Sequence, residues 1–144
     1  MSVEENKAVV RRLEEALNAG RADAGLEVWA EDLLFNGRRI TPQTIAQLRA
    51  PLWAAVPDVR WTMEQLVAEG EWVAVRSTLR GTHTGDFAHP VFGAAPASGR
   101  AIEMLYLDHY RIVDGKIAEA WEARDALTLL QQLGVMPAPG QPGT

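Results

Sequence analysis

The hydrophobic pattern changes period at Pro57-Asp58, and that change constrains the fold more than any other feature of the chain. Before it, apolar residues recur at helical spacing. After it they alternate, in stretches rich in Val, Trp, Thr and Leu, as half-buried strands do. Helices, then an antiparallel meander, then one closing helix is an α+β order, without the strand–helix–strand alternation of a parallel sheet.

In the first part, Ser2-Val3-Glu4-Glu5 has the form of a capping box, and Val9, Val10, Leu13, Ala16 and Leu17 follow as one stripe until Asn18-Ala19-Gly20. Asp23 is positioned to cap a short second helix carrying Leu26, Val28 and Trp29. Leu33, Leu34 and Phe35 then read as a short buried strand ending in Asn36-Gly37. Thr41 caps a third helix with Pro42 at its first position, and Ile45, Leu48, Leu52 and Trp53 form its apolar face.

Beyond the change, strands are expected over 59–67 and 72–83, turned at Glu69-Gly70-Glu71. A long loop, 84–99, leads to a strand over 100–112, a turn at Val113-Asp114-Gly115 and a strand over 116–123. Asp125 caps a last helix over 126–133, stopped by Gly134. One domain over 1–135 and a disordered tail over 136–144 is the expected organisation. The simplest packing wraps a strongly curved antiparallel sheet over the N-terminal helices, leaving an internal cavity where small ligands bind.

Composition removes several kinds of chemistry. Lys+Arg 14 against Asp+Glu 19 gives a net charge of -5, which argues against nucleic acid as a partner. Without cysteine there are no disulfides, thiolate nucleophiles or cysteine–zinc sites. The start of the chain is charged and amphipathic, not a signal peptide, and no run of apolar residues is long enough to span a membrane; the expectation is a cytoplasmic protein. Lys7 and Lys116 are both placed at exposed positions, and His83, His89 and His109 show no metal-ligand spacing, so no metal is expected. Carboxylate acid–base chemistry, or binding without chemistry, remains.

The hairpin at Val113-Asp114-Gly115 decides which carboxylates meet, because a slip of one residue exchanges the faces of a strand. A two-residue turn at Asp114-Gly115 puts Val113 opposite Lys116 and Asp108 opposite Trp121, with Glu122 facing the other way. A three-residue turn with a bulge puts Ile112 opposite Lys116 and Tyr106 opposite Glu122. Met104, Tyr106, Asp108, Tyr110, Ala118, Ala120 and Glu122 then share one face. In that register Asp108 and Glu122 are diagonal neighbours about 7–8 Å apart. Leu105, Leu107, Ile117 and Trp121 occupy the opposite face, apolar enough to be covered by a second copy of the chain, so a homodimer is expected.

The stretch Tyr110-Arg111-Ile112-Val113-Asp114-Gly115-Lys116-Ile117, then Ala118-Glu119-Ala120-Trp121-Glu122 with Asp125, and the ending Leu129-Leu130-Gln131-Gln132-Leu133-Gly134, resembles the SnoaL-like polyketide cyclases. Asn6-Lys7, Asn18-Ala19-Gly20 and Gly81-Thr82-His83-Thr84-Gly85 carry the same likeness, which covers residues 4 to 135. It implies the conical α+β barrel of the nuclear transport factor 2-like superfamily. It also implies an enzyme that closes a ring in an aromatic polyketide ester by intramolecular aldol condensation, with a cavity carboxylic acid and no metal or cofactor. The matching acid is Glu122, one methylene longer than in the family pattern, and the partner, a histidine in the best-known cyclase, falls on Asp108. Limonene epoxide hydrolases of the same superfamily activate water with two aspartates and an arginine; Arg76 and Arg100 are stand-ins by residue type only.

Two carboxylates in an apolar cavity divide the work, one held protonated and the other ionised. His83 either orients a ligand carbonyl or bonds loop backbone, and Asp125 either caps the last helix or supports the site from behind. Tyr106, Met104, Tyr110, Trp53, Phe35 and Met63 are the expected contacts of a small hydrophobic, aromatic substrate, although Trp53, Phe35, Trp61, Met63 and Met104 are also the residue types that fill a core. The loop over 84–99 serves either as a lid or as an arm across a dimer.

Overall fold

The first helix, α1 (Val3–Leu17), begins as its sequence requires: the Glu5 N–H donates to Ser2 Oγ at 3.1 Å and the Ser2 N–H to Glu5 Oε1 at 3.2 Å. These come from a computed structural model, which describes residues 1–137 and 139–140. Val9, Val10, Leu13 and Leu17 are buried in one stripe. Asn18 closes the helix and ties it to the sheet, its amide donating to the Trp61 carbonyl at 2.8 Å and accepting the Trp61 N–H at 2.7 Å.

The expected second helix is only a 3-10 turn, Leu26–Val28, and Trp29 already belongs to strand β1 (Trp29–Phe35). The turn is entered through Gly25 at φ 71, where an added Cβ would lie 2.1 Å from that of Ala16, so the chain crosses α1 too closely for a longer helix to be seated there. Asn36 and Gly37, both at positive φ, turn β1 into β2 (Arg38–Ile40), a strand too short to show a period in the sequence. Helix α2 (Pro42–Ala55) has Pro42 in its first turn, but Thr41 does not cap it through its side chain, whose Oγ1 lies 3.4 Å from that of Thr44. Ile45, Leu52 and Trp53 are buried; Leu48 is exposed, because it stands at the rim of the cavity described below rather than over the core.

Strands β3 (Arg60–Glu69), β4 (Trp72–Thr82), β7 (Ala101–Val113) and β8 (Lys116–Arg124) complete a six-stranded sheet in the order β2-β1-β8-β7-β4-β3. The meander pairs antiparallel, but β1 joins β8 in parallel, which corrects the expectation of a wholly antiparallel sheet. A period of two identifies a strand without fixing its neighbour's direction, and everything between β1 and β8 serves as the long connection that parallel pairing needs. Within the loop over 84–99, β5 (Phe87–His89) and β6 (Gly93–Ala95) form a small hairpin against α2. Helix α3 (Ala126–Leu133) packs on β7, and Asp125 caps it, accepting from the Thr128 N–H at 3.2 Å and the Thr128 hydroxyl at 2.7 Å. The disordered tail expected over 136–144 falls largely on residues 138 and 141–144, outside the described residues. No helix among the described residues is long and apolar enough to cross a membrane.

Besides a register shift between Trp29 and Leu34 where β1 meets β8, two bulges interrupt the antiparallel ladders. One lies between Met63 and Gln65 in β3; the other is Ala118, the extra residue in β8. At the β7–β8 turn, Asp114 and Gly115 both have positive φ, Val113 pairs with Lys116 and Ile112 with Ile117, as in the two-residue turn. Past Ala118 the register has shifted by one, so Arg111 faces Glu119 and Asp108 faces Glu122. Asp108, Tyr106 and Tyr110 therefore share the inner face with Ala120, Glu122 and Arg124. This is the face expected of the three-residue turn, reached instead through a bulge three residues further on. Ile117 lies before the bulge and points inward, 0% exposed, which corrects its placement on the outer face. Leu105, Leu107 and Trp121 do face outward and are exposed.

Candidate active site

The curved sheet and the two long helices enclose a cavity of about 190 Å3. Leu13 and Leu17 reach it from α1, Trp29 and Phe35 from β1, Ile45, Arg49, Leu52 and Trp53 from α2, and Trp61 from β3; Tyr106 and Tyr110 come from β7, and Glu122 and Arg124 from β8. Each is placed by the period of its element: positions three, four or seven apart on the helices, and alternate positions on the strands. The rings form two packed groups, Trp53, Trp61 and Tyr106 with Trp61 and Tyr106 centroids 4.2 Å apart, and Phe35, Trp29 and Tyr110 with Trp29 edge-on to Tyr110 at 6.1 Å.

Glu122 opens into this space from β8, opposite Asp108 on β7. Its main chain is clamped by Asn36, whose Oδ1 accepts the Glu122 N–H at 2.7 Å and whose amide donates to the Glu122 carbonyl at 3.3 Å. The sequence shows Asn36 only as half of an Asn-Gly turn; its side chain is free to act across the sheet because the left-handed backbone at φ 49 lifts it out of the strand. Asp108 is 5% exposed, and neither of its oxygens meets a donor among the described residues. Glu122 and the Tyr110 hydroxyl are the polar groups beside it. Burial first, and the neighbouring Glu122 second, push the Asp108 carboxyl up to about 9. Burial also raises Glu122, against the pull of Arg124. The Tyr106 and Tyr110 phenols are held neutral by burial, reinforced by Glu122 beside Tyr106 and by Asp108 beside Tyr110.

Of the expected contacts, Tyr106, Tyr110, Trp53 and Phe35 line the cavity, whereas Met104 and Met63 lie buried in the core outside its lining. His83 is also apart from it: the ring is fully buried under the loop over 84–99, with Nδ1 2.9 Å from Ser98 Oγ, and its carbonyl accepts the N–H groups of Ser98 and Gly99. Asp125 caps α3 and does not line the cavity. Arg76 faces outward beside Leu107, and Arg100 lies beside Gly134. The arginines that do line the cavity are Arg49 and Arg124. Both could have been found by spacing, since Arg49 is four residues from Ile45 and from Trp53 on one helix, and Arg124 is two residues from Glu122 on one strand. Arg49 Nη1 donates to the carbonyls of Ala22 and Ala24 at 3.4 and 3.2 Å, and Arg124 Nη1 donates to the Tyr106 oxygen at 3.4 Å.

A bent sheet closed by helices, with an acid pair on its inner face, defines a nuclear transport factor 2-like conical barrel. Within that class the chain belongs to the SnoaL-like polyketide cyclase family, whose model matches residues 7–133. It is 31% identical to aklanonic acid methyl ester cyclase DauD of Streptomyces sp. (strain C5), over 88% of this chain and 80% of that protein. It is likewise 31% identical to aklanonic acid methyl ester cyclase DnrD of Streptomyces peucetius, over 88% of each. Among solved structures, AclR of Streptomyces galilaeus, a candidate hydroxylase, superposes with a TM-score of 0.83 at 25% identity over 97% of this chain and 87% of its own. IdmH of Streptomyces antibioticus, a candidate polyketide cyclase, gives 0.73 at 29% identity over 90% and 98%.

Proposed function

We propose that the protein catalyses a polyketide cyclase-type intramolecular aldol condensation, or a related proton transfer, on a hydrophobic, aromatic carbonyl compound without a cofactor. The observation that carries this reading is the pairing of Asp108 with Glu122 across adjacent strands, the first buried and the second half-buried at the edge of an aromatic cavity. Two such carboxyls share one proton. Glu122, facing the cavity, removes the proton from a carbon flanked by carbonyls. The carbanion adds to a second carbonyl of the same molecule, and the new alkoxide recovers a proton from the pair. Asp108 acts through Glu122, holding that proton and raising the basicity of its neighbour. The neutral Tyr106 hydroxyl, which accepts from Arg124, is a donor for the oxygen that gains charge. The closure is redox-neutral and consumes no water. Family membership and the two cyclase relatives support the reaction type.

The test does not require the natural substrate. Deuterium exchange at the activated carbon of β-ketoester and aryl-ketone probes in heavy water should be catalysed by the wild type and fall by roughly 10²–10⁴-fold in Glu122→Gln. Equal background exchange in both proteins would remove this mechanism for those probes. One observation favours a second reading, water activation for epoxide opening: Arg124 shares a face with both carboxyls. Hydrolysis of an epoxide probe, with no exchange, would select it.

The same reading includes a homodimer formed through the outer sheet face and residence in the cytoplasm. Leu107 and Trp121, 52% and 43% exposed beside Leu105, support the first, and the lack of cysteine is compatible with the second. In it, His83 and Ser98 fasten the loop over 84–99.

A further inference from the structure

The cavity is rich in hydrogen-bond donors and poor in acceptors. Arg49 and Arg124 enter it from two different elements, and the ion pairs among the described residues are made by Lys7, Arg11, Arg21, Arg39, Arg80 and Arg111, not by these two. Each guanidinium carries five N–H bonds, of which the contacts to Ala22, Ala24 and Tyr106 use few. The indole N–H groups of Trp29, Trp53 and Trp61, three buried residues of the cavity lining, have no acceptor. Against these donors stands Glu122, the one carboxyl among the residues that line the cavity, so that two cations face at most one negative charge. A buried donor without an acceptor is costly, and so is a half-buried cation such as Arg49 without a counter-charge; Arg124 stands at the open edge of the cavity. A ligand that brings both acceptors and charge relieves each.

The geometry points to a substrate that carries a carboxylate of its own, an aromatic carboxylic acid whose acid group is held by Arg49 and Arg124 while its ring rests against Trp53 and Trp61. A carboxylate matches the planar fork of a guanidinium in shape as well as charge. This rests on the reading of the cavity as the reaction site and narrows it, separating an acid from a neutral ester. The space also fits, since a cavity of about 150 Å3 already holds a benzene ring and this one is larger.

The probes are phenylacetate and phenylacetamide, equal in shape and different in charge, titrated into the full chain at neutral pH and low salt and followed by NMR. The acid should bind at least about tenfold more tightly than the amide. That preference should fall toward unity in Arg124→Met and in Arg49→Met, and partly return in Arg124→Lys. Equal affinity for the two probes, or a preference that survives both methionine variants, overturns the assignment. Arg49 also ties down the Ala22 and Ala24 carbonyls, so if Arg49→Met does not fold, Arg124→Met decides. Glu122→Gln separates this inference from the proposed function. It should abolish deuterium exchange and leave the acid preference standing; a preference that persists where the wild type catalyses no exchange sinks only the proton chemistry, and exchange with no preference sinks only the acid.

Discussion

Replacing Asp108 by Asn should make the protein more stable and less active at once. The side chain is 5% exposed and finds no donor, so the folded chain keeps it protonated to about 9, against 3.8 as the ordinary value for the unfolded chain. Below 3.8 both states hold the proton and the group contributes nothing to the pH dependence. Between 3.8 and about 9 the folded state keeps a proton that the unfolded state has released, so stability falls as pH rises through that window; above it the loss is complete. At pH 7 the interval from 3.8 is about three pH units, and at 1.36 kcal/mol each the loss is at most about 4 kcal/mol. Asn has the shape of the protonated acid, offers Glu122 an N–H in place of the shared proton and does not titrate. Allowing for the cost of burying its amide, the expected gain at pH 7 is about 1–3 kcal/mol, or roughly 3–9 °C for a chain of this size. Urea and thermal unfolding of both proteins at pH 5, 7 and 9 measures it: the curves should converge at low pH and separate as pH rises. Parallel profiles, or a variant less stable than the wild type at pH 9, would refute the account of Asp108 as a desolvated acid. Exchange by the variant should drop, because Glu122 loses the partner that holds its proton.

Deleting Ala118 takes out the unpaired residue and leaves Glu119 opposite Arg111 and Glu122 opposite Asp108, so the protein should keep the carboxyl pair on the inner face and lose far less exchange than Glu122→Gln does. Ile117→Ala should cost about 2–5 kcal/mol in unfolding, since its side chain is fully buried. Trp121→Glu, four residues along the same strand, should leave the unfolding midpoint of the isolated chain within a few degrees and, if the proposed homodimer forms through this face, give a monomer in sedimentation where the wild type gives a dimer. Asn36→Gly keeps the left-handed turn and removes both bonds to the Glu122 main chain; kcat should fall with KM little changed, and the enzyme assay reads the split.

Features set by a residue and its immediate neighbours were legible in the sequence. Ser2 with Glu5 and Asp125 with Thr128 each act within three residues of themselves and stand where the chain announces them, whereas the turn at Val113-Asp114-Gly115 was legible as a turn but not in its length. Features set by a partner elsewhere in the chain were not. The direction in which β1 meets β8 depends on the route of everything between them, and the 3-10 turn at Leu26–Val28 depends on how closely Gly25 passes Ala16. Glu122 was recognisable from the family pattern, but Asn36, Arg49 and Arg124 join it only when β1, α2 and β8 come together. Arg49 was hidden for a further reason: a charged residue in a helical stripe reads as solvent-facing, and only a cavity beneath the stripe reverses that reading.

The Ala118 bulge shows how much one residue can decide. Had the ladder from Val113 and Lys116 run unbroken, Glu122 would oppose Leu107, Arg124 would oppose Leu105, and Trp121 would lie inside against Asp108. The extra residue exchanges these faces together: it brings the second carboxyl and a guanidinium into the cavity and sends the tryptophan outward, beside Leu107. The change leaves Ile117 untouched, because the bulge lies after it, so the packing against the helices is kept while the chemistry is moved inward. Ala is suited to this position for what it lacks. A large side chain at an unpaired, half-buried place would need a packing site of its own, and a β-branched residue would resist the local bend. The sequence therefore carries no positive mark of the bulge; its trace is indirect, in that only a shifted register puts Asp108, Glu122 and Arg124 on one face while leaving Leu105, Leu107 and Trp121 together on the other. A net charge of -5 is likewise no guide to this interior, where Arg49 and Arg124 stand beside the single carboxyl of Glu122 in the cavity lining.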